Sequence, residues 1–371
     1  MTRPMRITFV LPGRGLAGGI RVVVVYGNRL IERGHQVTIV YLRKPWPRRP
    51  AALAQRAKGQ VRRAVGLDRD HLDDFRGRLL SASADELASV VPPGDAVIAT
   101  HWSTADGVAA LPVEAGAKYY FLQHYEAHTF DKRLVDATWR LPMQKIVIAG
   151  WLRALARDEF DDDRAILVPN GVDTEQFDAP PREPHRPPSV GFMYSHLRWK
   201  GADVAAEAIR IARRSIPGLQ AVSFGSKPPV AEMPLPENTT FHYRPEQQNI
   251  RNIYGSTDVW LCASQTEGFA LPPLEAMACR CAVVCTRCGG PEDFVVEGEN
   301  GYLVEVGDAQ AMAERTVMML SDEAHLKHMS DAAYATRQRY NWSRSTDLFE
   351  AALQSCTNSV GSITGNAQTG V

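Results

Sequence analysis

No excess of charge of either sign marks this 371-residue chain: Lys and Arg number 42, and Asp and Glu also number 42. Binding to nucleic acid rests on a surplus of positive charge, so no nucleic-acid partner is expected. Long apolar runs are missing as well. The longest, such as Val22–Tyr26 and Ile146–Leu152, fall far short of the roughly 20 residues that a spanning helix needs. Met1–Arg6 carries no charged leader followed by an apolar stretch and a small-residue cleavage site, so no signal peptide is expected. A cytoplasmic protein follows, one that can still sit peripherally at the inner face of a membrane. Cysteine is scarce. Of six, four fall at Cys279, Cys281, Cys285 and Cys288. A zinc site needs two ligand pairs converging on one point, but the intervening Ala282–Val284 reads as a buried strand whose side chains alternate between faces. No metal is expected there.

What is present is an ordinary globular composition, 44% apolar and 23% charged, at a length that suits two domains. Arg6–Leu11 reads as a strand ending in Pro12-Gly13. A helical pattern follows from Ile20 to Arg33, with Gly34 as its stop, and Gln36–Leu42 is again strand. This is β-α-β, the unit of a parallel sheet covered on both faces. Further strand signals stand at Ala96–Thr100, Lys118–Gln123, Lys145–Ala149 and Ala165–Pro169. Residues 178–188, DAPPREPHRPP, then bring five prolines and no period, which reads as a linker. Alternation resumes with strands at Ser189–Tyr194, Gln220–Phe224, Thr239–Tyr243, Val259–Ala263 and Ala282–Cys285. Helices are read at Ala202–Arg214, at Leu274–Ala278 and, as a pair, beyond Asp308.

The Gly13–Gly18 loop matches the dinucleotide fingerprint between a strand and a helix. Arg43-Lys44 ends the second strand, where a 2′-phosphate would select a base. An NADP-dependent oxidoreductase is therefore an alternative reading. Gly18-Gly19 at a helix start fits any phosphate equally well, because bare backbone lets an anion approach the amides.

The densest signal is SQTEGFALPPLEAMACRCAVV, residues 264–284. Glu267 and Glu275 lie eight positions apart. Pro272 and Pro273 mark a helix start, since proline suits the first turn. The amides of Phe269, Ala270 and Leu271 would then stand at the positive end of the helix dipole. An ionised carboxylate can take two hydroxyl hydrogen bonds from a vicinal diol. Carboxylate, helix start and carboxylate match the order diol, diphosphate, diol of a nucleotide sugar.

SQTEGFALPPLEAMA resembles the E-x7-E motif of the retaining glycosyltransferases of family 4. Gly18-Gly19, ERGHQVTIV, Pro169–Asp173 with Phe177, Lys200-Gly201, Gly289–Glu292 and Glu299–Val304 resemble that family's other landmarks in order. The resemblance implies a GT-B fold: α/β, two facing Rossmann-like domains with an interdomain cleft. The expected parts are an acceptor-side domain 1–178, a linker 179–188 and a donor domain 189–340. A helix 341–354 crossing back and a disordered tail 355–371 complete them. The implied activity is retaining, metal-independent transfer of a hexose-type sugar from a nucleoside-diphosphate donor. The acceptor would be a glycan, a lipid-linked saccharide or a small molecule. A catalytically silent nucleotide-sugar binding protein is the other alternative.

By the same resemblance Glu267 holds donor-sugar hydroxyls and Glu275 the ribose diol. Gly268, Phe269, Ala270 and Leu271 bind the diphosphate together with Lys200. Gly18 and Gly19 also face the donor, and the Arg244-Pro245 region faces the base. The family's Gly-Arg pair before the lysine is absent, leaving Ser195 and Arg198 as candidates for its place. His124, after a strand, is the candidate for the histidine near the reacting carbon, and His101 beside Trp102 is its competitor. Asp161–Asp163 resembles a metal-binding D-x-D but reads as a solvated turn, so no cofactor is expected. Between Arg43 and Arg63 stand eight basic residues and no acidic one. That stretch is a candidate peripheral membrane contact.

Overall fold

The computed structural model describes residues 3–43, 70–182 and 186–365, with side chains as far as residue 355. Most of the basic stretch from Arg43 to Arg63 and the end of the tail lie outside the described residues. The chain divides into two compact units: 1–148, 152–168 and 346–371 form the first, 149–151 and 169–345 the second.

In the first unit the strands are β1 (Arg6–Leu11), β2 (Gln36–Leu42), β3 (Arg78–Ala82), β4 (Ala96–Ala99), β5 (Ala117–Leu122), β6 (Gln144–Val147) and β7 (Ile166–Leu167). They pair in parallel in the order β3-β2-β1-β4-β5-β6-β7. Strand order reverses between β1 and β4, the point where ligands of such sheets bind, beyond the carboxyl ends. The helices that matter here are α1 (Gly18–Glu32), α2 (Trp102–Ala109) and α3 (Lys132–Trp139). Burial is nearly complete along β1, β4 and β5, as a sheet covered on both faces requires.

The last helix, Trp342–Gly365, carries Phe349 into this core. The Phe349 ring stacks on Tyr26 at 4.5 Å and meets Phe121 edge-on at 5.2 Å. Arg33 donates to Glu350 at 2.9 Å, and the hydroxyl of Tyr119 donates to the carbonyl of Leu353 at 2.6 Å. The helical backbone runs on to Gly365, past the expected end at 354; no proline interrupts residues 342–365, and proline is the strongest local reason for a helix to stop.

In the second unit β8 (Ser189–Tyr194), β9 (Gln220–Gly225), β10 (Thr239–Tyr243), β11 (Val259–Cys262), β12 (Ala282–Thr286) and β13 (Gly301–Val304) form a parallel sheet. Its order is β10-β9-β8-β11-β12-β13. Here the reversal falls between β8 and β11. Residues 169–178, expected to close the first domain, group with this unit: Val172 donates to the carbonyl of Tyr340 at 3.1 Å. The proline-rich stretch makes no regular element in its described part, yet it is anchored. The Arg182 guanidinium donates to the carbonyls of Tyr254 and Thr257, and Arg186 pairs with Asp258.

Candidate functional site

The reversal of strand order in the second unit dictates what meets what. The loop after β8 carries Ser195, Arg198 and Lys200; the loop after β11 carries Ser264, Glu267 and the residues that follow. Lys200 Nζ donates to Glu267 Oε1 at 2.6 Å, and Ser264 Oγ donates to the same oxygen at 2.7 Å. Glu267 is only 8% exposed. Burial pushes its carboxyl above the ordinary range, and the Lys200 charge works against that shift. Lys200 also stands 4.3 Å from the centre of the Trp199 ring.

Close backbone packing holds the two loops. Gly201 adopts φ +64°, and a Cβ there would stand 1.9 Å from the carbonyl oxygen of Ala263, so only glycine lets the lysine loop lie on the strand end. The Glu267 N–H donates to Cys288 at 2.7 Å, and the Gly290 N–H donates to Glu267 at 3.1 Å. A side chain at Gly290 would strike the backbone of Phe269, 2.4 Å away.

Phe269, Ala270 and Leu271 sit where the helix Leu271–Ala278 begins. Ala270 is its N-cap residue, at φ +67° and ψ +69°, with no side-chain cap. An L-residue in that left-handed region costs on the order of 1–2 kcal/mol, and such strain gathers at functional sites. Among the described residues these three amides have no acceptor. Pro272 and Pro273 have no N–H at all, so the free donors are concentrated at the turn. The carbonyl of Gly268 accepts from the Trp151 indole at 3.1 Å.

Glu275 is buried, 5% exposed, and its Oε2 accepts from the Tyr254 hydroxyl at 3.2 Å. The two glutamates thus have different partners: Glu267 belongs with Lys200, and Glu275 with Tyr254. Ser195 Oγ accepts from the Leu197 N–H at 3.2 Å. Arg198 is exposed, and Arg244 is exposed at φ +48°, its N–H donating to Gly225 at 2.8 Å. Ser264 and Tyr254 were not singled out in the sequence. Ser264 lies inside the motif, three residues before the glutamate, but nothing local marks Tyr254.

In the first unit Gly18-Gly19 open α1 beyond β1, and Gln123 Nε2 donates to the Gly19 carbonyl at 3.1 Å. This brings the glycines beside the segment that carries His124. The His124 ring lies 4.5 Å from that of His128, and both face the carbonyl of Tyr125 at 3.0 Å. In the fingerprint loop Arg14 donates to Asp70 and Asp73, and of the two bases read for a 2′-phosphate Arg43 is paired with Glu86, while Lys44 lies outside the described residues. Asp162, expected in a solvated turn, is instead buried and paired with Lys145 at 2.7 Å. The strand β6 brings that lysine beneath it. Cys279, Cys281, Cys285 and Cys288 are all buried free thiols. Among the described residues no group of three or more His, Cys, Asp and Glu is placed to hold a metal ion. No helix there is long and apolar enough to cross a membrane.

Residues 173–336 match the family model of glycosyl transferases group 1. N-acetyl-alpha-D-glucosaminyl L-malate synthase of Bacillus anthracis is 36% identical over 88 residues, 24% of this chain and 23% of the relative. D-inositol 3-phosphate glycosyltransferase of an Arthrobacter species is 27% identical over 238 residues, 59% of this chain and 56% of the relative. The matched region thus spans from 23% to 56% of those relatives' length. Among solved structures, Anabaena Alr3699/HepE in complex with UDP and glucose superposes with a TM-score of 0.75 at 15% identity, covering 95% of this chain and all of that one. Sucrose-phosphate synthase of Thermosynechococcus elongatus gives 0.72 at 17%, covering 96% of this chain and all of that one. The chain has the GT-B fold, and within it residues 173–336 are similar to the glycosyl transferases group 1 family.

Proposed function

We propose that this protein is a retaining, metal-independent glycosyltransferase that moves a hexose-type sugar from a nucleoside-diphosphate donor to a glycan, lipid-linked or small-molecule acceptor. One observation carries the reading: Lys200 and Ser264 converge on a single oxygen of Glu267, beside a strained turn with three open amides. The HepE neighbour, which shares the fold, holds UDP and glucose.

Lys200 and the amides of Phe269, Ala270 and Leu271 supply fixed donors to the diphosphate. As the bond between the anomeric carbon and the phosphate oxygen breaks, negative charge grows on that oxygen, and preorganised donors stabilise it. Glu267, held by Lys200 and Ser264, orients the sugar hydroxyls, and Glu275 takes the ribose diol. The acceptor oxygen attacks from the face the leaving group departs, and its proton passes to the departing diphosphate. His124 is assigned a hydrogen bond to the donor sugar near the reacting carbon. No protein nucleophile and no metal enter this scheme.

The test is a donor screen reading release of UDP, GDP or dTDP. Glu267→Ala and Lys200→Ala are each expected to cut turnover by at least about tenfold with the circular dichroism spectrum kept. EDTA should leave the rate unchanged, and NMR of the product should show the donor's anomeric configuration. Near-normal rates in both variants would overturn the assignment.

A further inference from the structure

The first unit holds a half-buried carboxyl that this scheme does not use. The α2 helix starts just beyond β4, at the reversal of strand order where a doubly wound sheet takes its ligands, and Glu126 follows β5, the next strand over, at the same carboxyl edge. Glu126 Oε2 accepts from the Trp102 N–H at 3.0 Å, and its Oε1 stands 3.2 Å from His101 Nε2. His101 Nδ1 accepts from the Ser103 N–H at 3.2 Å. That bond leaves Nε2–H in the neutral ring to face the carboxyl. Phe130 closes the group: its ring lies 5.3 Å from Trp102 and 5.6 Å from His101, and it is 42% exposed.

A helix cap alone does not account for this set. Capping the first turn of α2 needs one acceptor, which an amide side chain would supply without burying an acid. Burial pushes Glu126 up to about 7 and His101 down to about 4. The indole N–H of Trp102 is buried without an acceptor, a state that costs about 1–3 kcal/mol until a partner arrives. A half-exposed phenyl ring, a carboxyl and an unmet N–H are the three contacts that a pyranose ring asks for: an apolar face, a hydroxyl acceptor and a hydroxyl donor. Phosphate is not favoured. Lys132 and Arg133 on the adjacent α3 are occupied by Asp136 and Asp131, and His101 is held neutral.

We propose that His101, Trp102, Glu126 and Phe130 form a subsite for a neutral pyranose unit of the acceptor. Phe130 receives its apolar face, Glu126 a hydroxyl hydrogen, and Trp102 a hydroxyl oxygen. Calling the bound unit the acceptor rests on the sugar-transfer reading; the saccharide subsite itself does not.

Saturation-transfer NMR on the full chain tests it, with methyl α-D-glucopyranoside, methyl α-D-mannopyranoside, methyl α-D-galactopyranoside and their 6-phosphates, and with UDP and GDP as separate probes. At least one neutral glycoside should bind, and more tightly than its 6-phosphate. Glu126→Gln and Phe130→Ala should each weaken that binding about fivefold or more while nucleotide binding stays as in the wild type. The proposal falls if no glycoside binds the wild type, if the 6-phosphates bind better, or if both variants bind as the wild type does. Failure of the nucleotide arm alone counts against the sugar-transfer reading and leaves the glycoside arm readable.

Discussion

Glu267 in the second unit is a buried carboxyl beside the strand-order reversal of its sheet, Glu126 in the first is a half-buried one on the loop after β5, and loss of hydration pushes both upward. Their neighbours differ. Glu267 faces the ammonium of Lys200 at 2.6 Å, a full opposite charge that favours the ionised form. Glu126 faces a neutral imidazole and one backbone N–H, which offsets the desolvation only in part, and no opposite charge adds to it. The same side chain therefore serves as half of an ion pair in one unit and as a carboxyl poised near neutrality in the other. Charge partners, more than depth of burial, set the chemistry of an acid.

The largest effect should come from breaking the charged member of this comparison. Glu267→Ala is expected to bring the greatest loss of turnover, because it removes the sugar contact and strands the lysine. Next comes Gly201→Ala. Its Cβ would press on the Ala263 carbonyl in a left-handed backbone, so a loss of about 1–3 kcal/mol in denaturant titration is expected, with turnover falling as Lys200 shifts. Wild-type stability after this change would show that the lysine loop is not held by that contact.

The pH response then sharpens the contrast between the acids. The folded pKa of Glu126 lies above its unfolded value of 4.5. Its contribution to stability is thus full below that value and is lost as pH rises through about 7. His101 has the opposite sign, since its folded pKa lies below its unfolded value, but it is present in both the wild type and Glu126→Gln. The variant's melting temperature should therefore gain on the wild type, by a few degrees, as pH is raised from about 4.5 to 8. Glu267→Gln should instead melt below the wild type near neutrality, since it leaves the Lys200 charge unpaired. A pH-independent gap for Glu126→Gln would remove the contrast. The smallest effect is expected at Ala270→Gly, which relieves the left-handed strain at φ +67° and should add at most about 1 kcal/mol of stability.

Much of the second unit's site was legible because it is local. Residues 264–275 hold the glutamates, the amides and the helix start in one stretch, where proline and glycine chemistry marks the turn. Lys200 was legible through its resemblance to a phosphate-binding loop, although its partner on Glu267 was not. Of the strands, β3 and β13 were not read, since RLLSA and GYLV are short stretches at the edges of their sheets. The Asp162–Lys145 pair was missed because two ordinary charged residues 17 positions apart carry no pattern. Trp102, Phe130 and Glu126 were invisible as a set, and Tyr254 as the partner of Glu275, for the same reason: each is unremarkable alone.

By itself the sequence determined the order of most of the strands, the parallel α/β class and the position of the glutamate turn. Period, proline and glycine act over a few residues, so they need no knowledge of the rest of the chain. Tertiary structure alone decided which loops share the reversal point of each sheet, and hence that Lys200 meets Glu267 while Glu275 meets Tyr254. It also decided that Glu126 lies beside His101 with no counter-charge. Those outcomes depend on strand order and on burial, and both arise only when distant segments pack against one another.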